Sequence, residues 1–312
     1  MSAPAAPAAP AGRPRPERWV LLAYAVGVVA AGLFLYLGLR PGGLGPVRAY
    51  THGRSVLFLA GAGLLLFGLL WSLYRRPVIQ RGRLGAFLTL AGVVWFTAYP
   101  LSYPSSHEGH PSAVRFRLPF EGEWTVRWGG SQGPASALVL QPDRRFGFDF
   151  VACDAEGKSD DGRASYCRGR EVLAPAAGVV VAVHDGEPDA PLFGMPAGGE
   201  PYGNYVVLRV AEREFLFLIG LEQGSPAVAE GDLVSAGAPL GRAGFSARSA
   251  LTPEAHLGVH LQDTPLPRRG EGVPFTFRDY RSGEQAIDAG VPQGGLRGGR
   301  HVGERVRPAG PR

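Results

Sequence analysis

Three stretches of this 312-residue chain, residues 19–39, 55–74 and 84–103, contain no charged side chain. At about 1.5 Å of rise per residue, each is long enough as a helix to cross roughly 30 Å of hydrocarbon. Their ends carry Trp19, Trp71, Tyr74, Tyr99 and Tyr103, rings that set an apolar body in lipid and a polar edge among headgroups. The expectation is three transmembrane helices within 19–103. Buried helices of a soluble protein are the alternative, and a cleaved signal peptide is disfavoured because no polar cleavage region follows the first run. Arg13, Arg15 and Arg18 precede the first run and Arg75, Arg76, Arg81 and Arg83 fill the second loop, against Arg40, Arg48 and Arg54 in the first loop. Arginine-rich flanks stay in the cytoplasm, so residues 1–18 read as a disordered cytoplasmic N-terminus. After three crossings of the cytoplasmic membrane, everything beyond Tyr103 is extracytoplasmic, periplasmic or on the cell surface. No ionisable residue interrupts the runs to mark an ion or proton path, so this part reads as an anchor in membrane lipid.

The net charge of +5 divides unevenly. Between Pro104 and Tyr280 there are 16 Lys and Arg against 23 Asp and Glu, a balance of −7. The basic surplus therefore sits in the membrane flanks and the tail, and nothing in the folded part calls for nucleic acid as a partner. The two cysteines, Cys153 and Cys167, lie in this external part. In an oxidising compartment they would close a loop of 15 residues, worth about 3 kcal/mol; two thiols in an acidic loop are the alternative reading.

After a linker at 104–114 the pattern changes to short β-type runs cut by Gly and Pro, at 123–128, 137–140, 146–151, 178–184, 205–210, 215–219 and 256–262. Runs of this kind with no amphipathic helices between them argue for a mostly antiparallel all-β domain, a sandwich or barrel, over 115–280. Residues 281–312, rich in Gly, Arg and Pro, read as a disordered tail.

Within that domain stand Val172-Leu173-Ala174-Pro175-Ala176-Ala177-Gly178-Val179-Val180, Gly203-Asn204, Gly231-Asp232-Leu233-Val234 and Gly237-Ala238-Pro239-Leu240-Gly241. In the same order come Pro119-Phe120-Glu121-Gly122-Glu123-Trp124, Arg145-Phe146-Gly147-Phe148-Asp149-Phe150, Gly224-Ser225 and His256-Leu257-Gly258-Val259-His260. Together they resemble the lysostaphin-type (LytM-like) zinc metallopeptidases of bacterial cell walls, over about residues 115–280. A lipoyl-type carrier shares single pieces of the pattern, but the one lysine, Lys158, sits between the cysteines. The resemblance implies a groove over a β-sheet, a zinc ion with three protein ligands and an open position for water, and peptidoglycan cross-link peptides as substrate.

Set against that pattern, the chain departs at the chemistry. Asp149 matches a metal ligand, but Arg145 stands at the first histidine ligand and Gly258 at the last. A guanidinium has no lone pair for a cation and carries its own charge. Gly220 falls at one catalytic histidine; His256, matching the other, survives. His260 cannot readily join His256 on one ion, because four strand residues separate them by roughly 13 Å. His184 has nothing in the sequence to bring it near. Asp149 then pairs with Arg145, Arg144 or another arginine, and His256 is a groove residue of structural or binding role. Asn204, Tyr202 and His260 border the groove; Trp124, Trp128 and Tyr205 are further contact candidates or core. The expected function is a non-catalytic, membrane-anchored peptidase-like domain that binds peptidoglycan or regulates a cell-wall hydrolase and needs no cofactor. The alternative is an active zinc endopeptidase with a nonstandard metal site.

Overall fold

The computed structural model describes residues 16–75, 80–130, 136–152, 167–189, 199–247, 255–297, 300–301 and 303–310. It divides into two compact units, Met1–Leu39 with Arg48–Tyr99, and Arg40–Val47 with Pro100–Arg312.

The first unit is helical. Helix α1 (Arg18–Gly38) is followed by a π-helical turn (Ala49–Gly53) that runs into α3 (Arg54–Tyr74), and then by α4 (Arg81–Ala98), while α2 (Leu44–Arg48) falls in the second unit except for Arg48. Polar contacts fix their relative directions. Arg83 near the start of α4 reaches Glu17, just before α1, at 2.6 Å, while Arg54 at the start of α3 donates to the carbonyls of Thr97 and Tyr99 at 3.0 and 2.6 Å. Helices α1 and α4 therefore begin at one end, and α3 begins where α4 stops. Close packing uses small residues: a Cβ on Gly68 would lie 2.5 Å from Trp19, and one on Gly61 3.2 Å from Val93. Facing outward are Val28, Leu35, Leu59 and Leu88, each 66–72% exposed, large apolar side chains that water disfavours.

Among the described residues two helices, Arg18–Gly38 and Leu44–Tyr74, are long and apolar enough to cross a membrane. That corrects the expectation of three by length and composition alone. The run read as 84–103 forms a helix that takes in Arg81 and Arg83 and ends at Ala98. Pro100 is the reason for the early stop, since the residue before a proline is pushed out of the helical region, and Tyr99 is extended at ψ 134°. Tyr103 is no membrane-interface ring. It belongs to the second unit and is 1% exposed.

That second unit is built on a ten-stranded sheet. Its members are β1 (Trp124–Trp128), β2 (Phe148–Ala152), β4 (Gly178–His184), β5 (Asn204–Ala211), β6 (Glu214–Leu221), β7 (Leu233–Val234), β9 (Leu257–Gln262), β10 (Phe277–Ser282), β11 (Gln285–Gly290) and β14 (Arg305–Pro308). The order across it is β11-β10-β14-β1-β2-β9-β6-β5-β4-β7, with every neighbouring pair antiparallel. Two small sheets pair β3 (Glu171–Leu173) with β8 (Pro239–Arg242) and β12 (Leu296–Arg297) with β13 (Arg300–His301). The first joins two of the recognised motif segments, Val172 opposite Gly241.

Strand alternation puts Phe148, Phe150, Leu257, Val259, Leu216, Leu218, Val206 and Leu208 into one core, while the other face carries Asp149, Gly258, Phe217 and Val207. Segment 137–140 is a single 3-10 turn rather than a strand (Ala137–Leu140), capped by Ser136 Oγ, which accepts from Leu138 N at 3.3 Å. The tail is also corrected: β14 lies between β10 and β1, and its Val306 is fully buried. Trp124 and Trp128 are core residues, 0% and 6% exposed, not surface contacts. Cys167 is buried in the same core; Cys153, its expected disulfide partner, lies outside the described residues.

Candidate functional site

Asp149 on β2 stands opposite Gly258 on β9, and Gly258 stands opposite Ile219 on β6. These three positions form a row across the face turned away from the main core. The turn before β2 completes the arrangement. Gly147 N–H donates to Arg144 O at 2.8 Å, reversing the chain so that the Arg144 guanidinium folds back onto the Asp149 carboxylate. Both residues are buried, at 3% and 0% exposed. A Cβ on Gly258 would meet Ile219 Cγ1 at 2.5 Å and Arg144 Nη2 at 3.1 Å. The space in front of Asp149 is thus filled by a fixed cation and an isoleucine.

Arg145, which the resemblance matches to the first ligand, contacts the segment leading into the sheet. Its Nε donates to the carbonyl of Tyr103 at 3.0 Å, its Nη2 is 3.8 Å from Glu108, and its guanidinium lies over the Phe146 ring at 4.9 Å. Neighbouring Asp143 is 4% exposed, and burial raises its carboxyl to about 6 against the pull of Arg144.

Gly220 is the extra residue of a bulge in β6, between Tyr205 paired with Ile219 and Asn204 paired with Leu221. Its φ is +80°, and a Cβ there would approach His256 O at 2.7 Å. A side chain at this position, which the resemblance matches to a catalytic histidine, would be strained by the backbone and crowded by His256 O. His256 itself is 2% exposed.

His260 is fully buried, stacked on Phe217 with centroids 4.8 Å apart and edge-on to Tyr202 at 5.3 Å. Burial, and then the charge of Arg144, hold its imidazole well below the usual histidine range, so it is neutral at pH 7. Tyr202 is 4% exposed, its ring on this aromatic wall. Asn204 pins the strand start: its Nδ2 donates to Glu187 O and Leu221 O at 2.9 and 3.1 Å, and its Oδ1 accepts from Glu187 N at 2.8 Å. Tyr205 stacks on His184 at 5.3 Å, and His184 Nε2 is 3.6 Å from Glu187, engaged on β4 and β5 rather than with Asp149.

A resident zinc ion does not fit these residues. Arg144 holds the carboxylate that a metal would need, Gly258 offers no donor, and Arg145 is bound elsewhere. Among the described residues no group of three or more His, Cys, Asp and Glu side chains could hold a metal ion. Sequence reasoning weighed Arg145 before Arg144 as the partner of Asp149; the adjacent basic pair was the only signal for the second.

No protein-family profile matches the chain, and no curated protein matches it. Solved structures with similar coordinates are M23 and lysostaphin-type peptidase domains at low identity. The catalytic domain of the prophage-encoded M23 protein EnpA from Enterococcus faecalis is 18% identical over 51% of this chain and 94% of that one, with a TM-score of 0.32. The catalytic domain of lysostaphin from Staphylococcus simulans is 16% identical over 49% and 88%, with a TM-score of 0.29. A complex of SpoIIIAH and SpoIIQ gives 13% identity over 52% and 96%, with a TM-score of 0.33.

Proposed function

We propose that the chain is a membrane-anchored, non-catalytic relative of the lysostaphin-type peptidases, whose sheet unit binds peptidoglycan or positions a cell-wall hydrolase. The observation that carries this reading is the Arg144 guanidinium seated on Asp149. In the resembled family, water is activated for amide hydrolysis by a metal with an open coordination position. Here the carboxylate is neutralised by a side chain that can neither exchange ligands nor lower the pKa of water. What remains on this face is a packed cluster of Tyr202, Phe217 and His260 beside the ion pair.

The sheet unit is proposed to lie outside the cytoplasm, which requires an odd number of crossings. The support is that α4 starts beside the beginning of α1 and ends beside the beginning of α3, so it runs between the same two ends as the two longer helices. An accessibility label at Cys167 is unsuitable because that residue is buried. A tag after Arg312 that reports from the cytoplasm would overturn the placement. Within that compartment Cys153 and Cys167 are proposed to form a disulfide, checked by the mass of the non-reduced and reduced chain.

The test of function is elemental analysis of the purified full chain in detergent after dialysis against trace zinc, together with co-sedimentation on isolated peptidoglycan. Zinc well below one ion per chain, with retention on the wall polymer or on a wall hydrolase, is the expected result. Stoichiometric zinc with peptide cleavage would establish the alternative, an endopeptidase with a nonstandard site.

A further inference from the structure

We propose that the segment leading into the sheet, residues 103–109, is latched to the Arg144–Asp149 centre, so that a change in the ion pair is transmitted to that segment. The latch has three parts, all in the sheet unit. The first is Glu271, a carboxylate 1% exposed. It accepts from the Tyr103 hydroxyl at 2.5 Å, from Ser106 N–H at 3.0 Å and from Ser106 Oγ at 2.5 Å. Ser105 Oγ donates to Gly272 O at 3.1 Å, and His107 Nε2 lies 3.5 Å from Asp263, whose Oδ1 accepts from Glu271 N at 2.9 Å. A buried carboxylate with this many donors is held firmly, because losing any one leaves charge uncompensated in a low dielectric.

The second part is the turn that carries Arg144. Gly272 N–H donates to Pro142 O at 2.8 Å, and a Cβ on Gly272 would lie 3.0 Å from Asp143 O and 3.2 Å from Arg145 N. Glu271 is therefore built against residues 142–145 with no slack between them. The third part is Arg145, which reaches from the same turn back to Tyr103 O at 3.0 Å and towards Glu108 at 3.8 Å. Asp143, Arg144 and Arg145 are each 8% exposed or less. One tightly packed turn thus holds Asp149 on one side and Tyr103 to Glu108 on the other. A position that is a metal ligand in the resembled family serves here as a strut.

The consequence is directional. A ligand on the groove face that draws the Arg144 guanidinium off Asp149 must move a turn whose next residue is hydrogen-bonded to Tyr103, and close-packed interiors pass on such shifts rather than absorbing them. The latch rests on the reading of the centre as an ion pair. It does not depend on what the groove binds, and its test uses no wall ligand.

The experiment is backbone hydrogen exchange on the full chain in detergent, comparing wild type with Arg144→Lys, which keeps the charge but loses the fork, and Asp149→Asn, which keeps the size but loses the charge. Expected is an increase of about ten-fold in exchange at Tyr103 and Ser106 in both variants, with the Val207 and Phe217 amides within about two-fold of wild type. Unchanged protection at Tyr103 and Ser106, or an equal rise at Val207 and Phe217 that marks general loosening, would overturn the latch.

Discussion

The Arg144 guanidinium lies against the Asp149 carboxylate, and its Nη2 stands 3.1 Å from where a Cβ on Gly258 would project. Two residues thereby close the centre that the sequence motifs surround. The arrangement is electrostatic economy of a kind: a carboxylate that would need a metal counter-ion in an apolar setting has a covalently attached one. Removing either partner leaves an isolated buried charge, whereas removing both leaves a space that apolar side chains can fill.

Arg144→Ala or Asp149→Ala alone should therefore each destabilise the sheet unit by about 3–5 kcal/mol. The pair Arg144→Met with Asp149→Leu should recover most of that loss. Denaturant unfolding followed by tryptophan emission from Trp124 and Trp128 measures all three. A double variant no more stable than the single ones would contradict the ion-pair account.

Gly220→Ala should cost about 1–3 kcal/mol, because it forces a side chain into a left-handed backbone position and towards His256 O. Its φ of +80° and the 2.7 Å approach are the reasons. Gly224→Ala is the control: it has a φ of +70° but open space around its Cβ, so it reports the backbone component alone. Thermal melts that rank the two variants equally would remove the steric part of the argument.

Two buried groups near the centre should tilt the pH profile in opposite senses. Asp143 has its carboxyl raised to about 6 by burial, so between about pH 4 and 6 the native chain keeps a proton that the unfolded chain has lost, and stability falls as pH rises. His260 is held below the usual histidine range, first by burial, so as pH falls through about 6.5 the unfolded chain gains a proton that the native chain refuses, and stability falls towards acid. Asp143→Asn should raise stability at pH 7, on the order of 2 kcal/mol, and His260→Phe should lessen the acid loss. Unfolding curves from pH 4 to 8 in which both variants change the slope with the same sign would refute the assignment.

Deleting residues 304–312 should expose the facing edges of β1 and β10, which β14 joins through Trp124 opposite Val306 and Arg281 opposite Arg307. Unpaired edges invite intermolecular pairing. The truncated chain should melt at lower temperature and aggregate on heating; light scattering unchanged from the full chain would return the tail to a dispensable role.

Much of this architecture was legible without coordinates. The apolar runs announced helices, because a charge-free stretch of twenty residues has few other ways to satisfy its backbone. Short Val-rich or alternating runs cut by Gly and Pro placed β4 at residues 178–184 and β1, β2, β5, β6 and β9 within a few residues of their observed limits, while β10 and β11 gave no such signal. That Arg145 and Gly258 offer no metal donor was visible too, since whether a side chain carries a lone pair is a property of its type. The tail was misread for a physical reason: Arg305 and Arg307 alternate with a single buried valine, too short a pattern to signal a strand until two other strands flank it.

What the sequence alone determined, then, is the chemistry on offer: which segments shun water, which alternate, and which positions lack a metal donor. The tertiary structure decided the pairings. Arg144 rather than Arg145 answers Asp149 because a turn at Gly147 reverses the chain. Arg145 instead braces Tyr103, and Tyr103 finds Glu271 from 168 residues away. Residue type is local, but the partner of a buried charge is whatever register and turn geometry bring within reach.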